Sequence, residues 1–416
     1  MKALAQAVEA ASVGLPVEAR RAISSNARRF MSRPTSGAQL PHVVYVIDQI
    51  CQLGGAERVL LEIIRRLSRE QFRCSLVTFK VDEHIEALKR LPCTLHVLPM
   101  RSTYGLDAGK MALRLRRLIR SEKVSIVHTF FESSDLWAAP VAKFSGCPVL
   151  ISSRRDMGIL RTRKHRLAYP FVNHLFDRVL SVSEEVRSYC LREDGLPPAK
   201  VETLYNGIDL AELDVKAMET DSRRQLGLAA DIPVITTVCN IRFLKGIDVL
   251  VRAAAYVCRE FPQARFLVVG KILEPETFAK LEHQIASANL SNNICFIGAV
   301  DNPYPLLRAS NIFCLPSRTE GFSNALIEAM GCRLPCVATR VGGNPEALSE
   351  GRSGFLVESE DHEAMANALL KLLRDSTLAS DMGNAGRQTV EARFSMHAMM
   401  SQLTRVYNEL LEANDV

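Results

Sequence analysis

Glu320 and Glu328 stand eight residues apart, separated by Gly321-Phe322-Ser323-Asn324 and further apolar residues, and they follow the run Ile312-Phe313-Cys314-Leu315. Gly321 permits a tight turn and Ser323 is a good N-cap, so a helix beginning at Asn324 would put Asn324 and Glu328 on one face. A carboxylate near a helix start can hold sugar hydroxyls, as the acidic residue does for ribose in dinucleotide sites. Leu326, Ala329 and Met330 form the opposite, apolar face, fit to pack on a sheet. For Glu320 alone, a favourable place in the helix dipole would be explanation enough. Two glutamates around a glycine turn ask for a ligand.

A second constellation is Arg242 and Lys245-Gly246, between an apolar run ending near Val238 and a helical pattern opening near Gly246. Cations are unfavourable at a helix N-terminus, so the pair makes poor sense unless an anion binds between them. A diphosphate would satisfy both, the arginine bidentately; two solvated surface cations are the plainer alternative. Gly54-Gly55 also follows a strand pattern and opens a helix, where free N–H groups favour an anion, although two glycines alone are weak evidence. Arg154, Arg155, Arg161, Arg163 and Lys164, with His165 and Arg166, form a basic cluster suited to lipid phosphates or a phosphorylated acceptor. No aromatic residues interleave these arginines, which argues against single-stranded nucleic acid.

The elements that must position these residues follow from periodicity. From His42 onward, short apolar runs alternate with helix-period segments, which predicts βαβ units and parallel sheets. Strands are expected at 42–48, 73–79, 94–98, 124–128, 149–152, 179–182 and 201–204, then at 234–238, 265–269, 294–297, 312–315, 336–338 and 354–357. Helices are expected at 57–67, 108–120, 246–260, 276–288, 324–331, 362–374 and 396–411. The reading is α/β: two Rossmann-like, doubly wound domains facing a cleft, with ligands at the carboxyl ends of the strands. Boundaries are set at 1–40 for a basic extension, 41–210 and 211–393 for the two domains, and 394–416 for a final helix. Within the extension, Arg20, Arg21, Arg28, Arg29 and Arg33 allow either a basic amphipathic helix on a membrane or disorder.

Composition narrows the class. A chain of 416 residues has room for two cores, and 47% hydrophobic with 24% charged residues is the balance of a globular protein. Eleven cysteines without a CxxC pair or zinc spacing are expected to be reduced core residues in a cytoplasmic protein. No apolar run approaches the roughly 18 residues of a spanning helix, and no signal peptide is expected. Residues 1–209 carry 32 Lys/Arg against 21 Asp/Glu, whereas residues 210–416 carry 20 against 25. A basic first half beside an acidic second suggests that the first meets something anionic: membrane phosphates, as on the inner face of a plasma membrane, a phosphorylated acceptor or nucleic acid; a well-solvated surface is the alternative.

The segment Glu320–Glu328 resembles the E-x7-E motif of retaining glycosyltransferases of family 4, which have the GT-B fold. The resemblance runs from about His42 to Leu411. It includes Gly54-Gly-Ala-Glu57, Ser181-Val-Ser-Glu184, Tyr205-Asn-Gly-Ile-Asp209, Arg242 with Lys245-Gly246, Phe296-Ile-Gly298, Val341-Gly-Gly-Asn-Pro-Glu346 and Gly351–Val357. It implies that Glu320 contacts the transferred sugar, Glu328 the ribose hydroxyls, and Arg242 and Lys245 the donor diphosphate. Gly321, Phe322, Ser323 and Asn324 would meet sugar and phosphates through their backbone, the backbone at Ile297 would hold the base, and Gly54 and Gly55 would close over the donor. The last helix would cross back to the first domain. Many members carry His-x-His where this chain reads His128-Thr129-Phe130, so Phe130 stands in place of the second histidine and sugar positioning is expected to differ. His128 is read as structural, pointing away from that position.

The expected reaction moves a sugar from a nucleoside diphosphate, UDP favoured, to the hydroxyl of a sugar, glycolipid or lipid-linked acceptor, with retained configuration. It would serve cell-surface polysaccharide or glycolipid synthesis. No cofactor or divalent metal is expected, because the cations would stabilise the leaving diphosphate and no DxD-type pair is suitably placed. A non-catalytic paralogue that binds nucleotide sugar, and a nucleotide-sugar epimerase, are the competing readings.

Overall fold

The computed structural model describes residues 40–51, 53–82, 85–159 and 161–416. The basic extension expected over 1–40 lies outside the described residues except at Leu40.

All thirteen expected strands form. The first seven are β1 His42–Ile50, β2 Arg73–Val81, β3 Thr94–Val97, β4 Val124–Phe130, β5 Val149–Arg154, β6 Arg178–Ser181 and β7 Val201–Thr203. They build one parallel sheet in the order β3-β2-β1-β4-β5-β6-β7. The other six are β8 Val234–Val238, β9 Arg265–Val269, β10 Ile294–Gly298, β11 Ile312–Leu315, β12 Cys336–Thr339 and β13 Gly354–Val357. These make a second parallel sheet, β10-β9-β8-β11-β12-β13. Helices cover both faces, which is why central strands such as β4 and β11 are buried at every residue and read as unbroken apolar runs.

In each sheet the strand order reverses once, between β1 and β4 and between β8 and β11. Adjacent loops leave such a switch point in opposite directions and open a crevice there. Gly54-Gly55 follows β1, Arg242 and Lys245 follow β8, and the segment from Pro316 to Asn324 follows β11. Topology alone therefore brings three expected motifs to two crevices.

The helix Met396–Ala413 does return to the first sheet. Met399, Leu403, Val406 and Tyr407 are buried against β1 and β4. Gly207 makes the crossing possible, since a Cβ there would lie 2.6 Å from the Ser395 carbonyl oxygen. An 18-residue helix, Ser376–Arg393, was absent from the expected set. Its two glycines explain the omission: they weaken the helical signal but allow close packing. A Cβ on Gly383 would come within 2.1 Å of the Arg333 carbonyl oxygen, and one on Gly386 would touch Met330 at 3.5 Å.

Candidate active site

Two loops of the second sheet are locked together before they present any chemistry. Gly246 has φ +63°, and a Cβ there would sit 2.0 Å from the Pro316 carbonyl oxygen, so only glycine allows the approach. Arg318 clamps the same junction. Its guanidinium binds both carboxylate oxygens of Asp248 at 2.8 and 2.7 Å and lies 4.0 Å over the Phe243 ring. The result is a fixed contact between two expected site residues: Lys245 Nζ donates to Glu320 Oε1 at 2.6 Å, and Ser317 Oγ donates to the same oxygen at 2.6 Å. Glu320 is thus held between a cation and a hydroxyl. Just beyond it, Ser323 caps the helix Asn324–Gly331, accepting from the Leu326 N–H at 3.3 Å as its type predicts.

Glu328 lies one turn along that helix, half-buried, with its carboxyl pushed up by burial and opposed by the charge of Arg58. Arg58 belongs to the helix Gly55–Arg66 of the first half, so the second glutamate faces across the cleft. Arg242 is half-buried at the end of the β8 loop, where its charge acts on Glu57 and Glu274. Ile297 is half-buried near the end of β10. The Phe322 side chain instead packs between Tyr205 and Phe394, with ring centroids 5.4 and 5.2 Å away, and joins the core.

The first half contributes more than the sequence indicated. Asn324 Nδ2 donates to the Gly55 carbonyl at 3.3 Å, and Asn206 Nδ2 donates to Asn324 Oδ1 at 2.5 Å. Asn206 Oδ1 in turn accepts from Arg155 Nη2 at 2.7 Å. Ser183 Oγ donates to the Gly321 carbonyl at 2.8 Å. Both oxygens of Glu346 accept the first N–H groups of the helix Glu184–Arg192, at 2.8 and 2.9 Å, and Tyr205 donates to one of them at 2.9 Å. The sequence marks Ser183, Tyr205, Asn206 and Glu346 only as parts of motifs. At the Gly54-Gly55 turn, Glu57 folds back so that its carboxylate lies against Gly54, where a Cβ would sit 2.7 Å from Oε2. A side chain of this protein thus already occupies the anion-favouring helix start.

Three expectations for the first half fail. Phe130 is fully buried and cannot line an acceptor or membrane surface. It shares its strand face with His128, their rings 4.9 Å apart, because residues two apart on a strand point the same way; His128 does not point away from it. His128 is indeed structural: it bridges Tyr407 Oη at 2.7 Å and Ser153 Oγ at 2.8 Å, and burial pushes its pKa down to about 3. Arg154 and Arg161 are 4% and 8% exposed, so they are interior residues rather than surface ones. Both stack on the buried Tyr169, at 4.2 and 4.0 Å, and they pair with Asp135 and Asp194 respectively. Arg155 turns into the cleft. Of the five cluster residues in that expectation, Arg163 and Lys164 are exposed.

Two Rossmann-like halves whose switch-point loops meet in one cleft define the GT-B class of fold. The chain belongs to the group 1, family 4 glycosyltransferases: residues 53–212 match the model of Glycosyltransferase Family 4 and residues 218–389 that of Glycosyl transferases group 1. It is 32% identical to a GDP-mannose-dependent monoacylated α-(1-6)-phosphatidylinositol monomannoside mannosyltransferase of Corynebacterium glutamicum, over 85% of this chain and 94% of that protein. It is 31% identical to an N-acetyl-α-D-glucosaminyl L-malate synthase of Bacillus anthracis, over 52% of this chain and 55% of that protein, about half the length of each. An Anabaena protein solved in complex with UDP-glucose superposes with a TM-score of 0.77 at 20% identity, covering 88% of this chain and 99% of that one.

Proposed function

We propose that this glycosyltransferase moves a sugar from a nucleoside diphosphate, UDP favoured, to an acceptor hydroxyl with retained anomeric configuration, without a divalent metal. The observation that carries this reading is the convergence of Arg242, the Lys245–Glu320 pair and the helix N-terminus at Ser323–Asn324 on one cleft. As the bond from the anomeric carbon to the diphosphate breaks, charge grows on the leaving oxygens, and Lys245, Arg242 and the Ser323–Asn324 N–H groups stabilise it. The acceptor oxygen attacks the same face of that carbon and gives its proton to the departing phosphate. Glu320 orients the sugar and Glu328 the ribose. The cations supply what a metal would supply elsewhere, so turnover should persist in EDTA. Support for a UDP donor comes from the Anabaena complex; the Corynebacterium relative's GDP-mannose keeps guanine in the test.

That relative's lipid acceptor favours a glycolipid or lipid-linked acceptor, in cell-surface polysaccharide or glycolipid synthesis, with the enzyme docking on the inner face of an anionic membrane. Among the described residues no helix is long and apolar enough to cross a membrane. The docking face is redrawn around the helix Arg163–Val172, where Leu167 and Phe171 are 74% and 77% exposed beside Arg163, Lys164 and Arg166. Co-sedimentation with phosphatidylglycerol vesicles should fall for Leu167→Ser/Phe171→Ser; unchanged sedimentation would remove this face from the reading. For the donor site, a thermal-shift panel of UDP-, GDP- and ADP-sugars should single out one base by mass action. Arg242→Ala and Glu328→Ala should each weaken binding of that nucleotide. Unchanged affinity in both variants would sink the assignment.

A further inference from the structure

β5 leaves the first sheet through two successive arginines with opposite surroundings. Arg154 turns inward, where Asp135 lies 3.3 Å from Nη1 and Asn173 accepts from Nη2 at 2.8 Å. Arg155 turns towards the cleft. Its carbonyl oxygen lies so close to Gly321 that a Cβ there would be 2.1 Å away, which sets this arginine against the loop between the two site glutamates. Through Asn206 and Asn324 its guanidinium is linked to Gly55, so it stands where four cleft-lining segments meet.

The guanidinium is incompletely satisfied. Its one recorded hydrogen bond goes to a neutral amide, Asn206 Oδ1, and its buried Nε has no partner among the described residues. Glu57 and Asp156 are near enough to act on its charge, but neither is recorded as a hydrogen-bonded or paired carboxylate for it. The Glu57 carboxylate lies against Gly54, and its charge is shared with Arg242. Burial pushes the Arg155 pKa down to about 10 against those two carboxylates. A guanidinium presents a planar fork matched to carboxylate or phosphate, and leaving one in a cleft with only an amide partner is costly. The donor diphosphate does not account for it, because Arg242 and Lys245 already face that group from the other sheet.

We propose that Arg155 is a specificity-determining residue that binds an anionic group, carboxylate or phosphate, carried by the substrate beside the transferred sugar. This rests on the donor-site reading above. The group would come either from the donor, as the carboxylate of a uronic acid, or from the acceptor, as a phosphate or carboxylate near its reacting hydroxyl.

Calorimetric titration of the full chain separates the sources. UDP-glucuronate is compared with UDP-glucose, or GDP-mannuronate with GDP-mannose if guanine proves to be the base. Inorganic phosphate is then titrated onto the complex with whichever nucleoside diphosphate binds. On the donor arm, the wild type should prefer the uronate by about tenfold or more, and Arg155→Gln should lose that preference while still binding the bare nucleotide. On the acceptor arm, the two donors bind alike, but phosphate binds the wild-type complex and about tenfold more weakly in Arg155→Gln. Arg155→Lys should keep part of either effect. The proposal is overturned if the wild type shows neither the uronate preference nor phosphate binding, a result that needs no variant to fold. It is overturned equally if Arg155→Gln leaves both unchanged. Failure to bind any nucleoside diphosphate would fell the donor-site reading and this proposal with it, whereas nucleotide binding without anion selectivity fells only the latter.

Discussion

The two walls of the cleft are built on opposite plans. On the wall from the second sheet, charges are matched locally: Lys245 meets Glu320, and Arg318 meets Asp248 and Glu360. Apart from Glu360, the residues lie in two short segments, 242–248 and 316–328. The wall from the first sheet gathers Glu57, Arg155, Ser183 and Asn206 from four separate segments, and much of its basic character is turned inward around Tyr169. One wall pairs most of its charges within itself, Arg242 excepted. The other is held by neutral hydrogen bonds and keeps a cation in reserve. A donor with a constant diphosphate suits the first plan, and a variable partner suits the second.

The largest expected effect tests the inward arginines. Replacing Arg154 with Met would leave Asp135 charged and buried, 1% exposed, with Thr129, Ser152 and Tyr169 as remaining donors. Breaking a buried pair in this way costs about 3–5 kcal/mol, read as a lowered urea midpoint. Arg163→Met, two residues beyond Arg161 but exposed, should shift stability by less than about 0.5 kcal/mol. Equal losses in the two variants would erase the division between buried and surface arginines.

Next comes the paired wall. Lys245→Ala should lower kcat/KM by about 10²–10³ with the sugar nucleotide that binds best, as removing one donor from a developing oxyanion does elsewhere. A loss under about threefold, with a lowered melting temperature, would make the Lys245–Glu320 contact purely structural.

His128 offers a pH handle on the first half. Its imidazole is held neutral by burial, with a folded pKa near 3 against an ordinary 6.5. The unfolded chain binds a proton that the folded chain refuses, so stability is complete above about pH 6.5 and is lost as pH falls between 6.5 and 3. By pH 5 the loss from this group is about 2 kcal/mol. The stability gap between wild type and His128→Gln should therefore narrow by about that amount between pH 8 and pH 5. A gap independent of pH would mean that His128 is protonated in the fold.

These contrasts also explain what was legible in advance. The strands could be read because apolar runs of fixed length carry a local signal. The Glu320–Glu328 segment could be read because turn, cap and helix lie within a few residues. Arg154 and Arg155 could not be told apart, since their fates depend on Asp135 and Asn206, distant in sequence and in opposite directions. Phe130 is buried for a related reason: it packs on Tyr45 and His128, and the returning helix sets Tyr407 against His128. Local chemistry is written in a segment, whereas the partner that decides burial comes from another part of the chain.

The smallest effect concerns the clamp between the walls. Glu346, from the second half, accepts two N–H groups at the start of the first-half helix Glu184–Arg192 and the Tyr205 hydroxyl. A carboxylate there meets both the orphan donors and the positive end of the helix dipole. Glu346→Gln keeps one acceptor oxygen and loses the charge, so the expected cost is about 0.5–1.5 kcal/mol in unfolding. Because the contact holds the halves together away from the Lys245–Glu320 pair, affinity for the bare nucleotide should change by less than about twofold, near the limit of what such a bond is worth. A larger loss of nucleotide affinity than of stability would show that the clamp sets the spacing of the two walls, and that the paired wall is not rigid by itself.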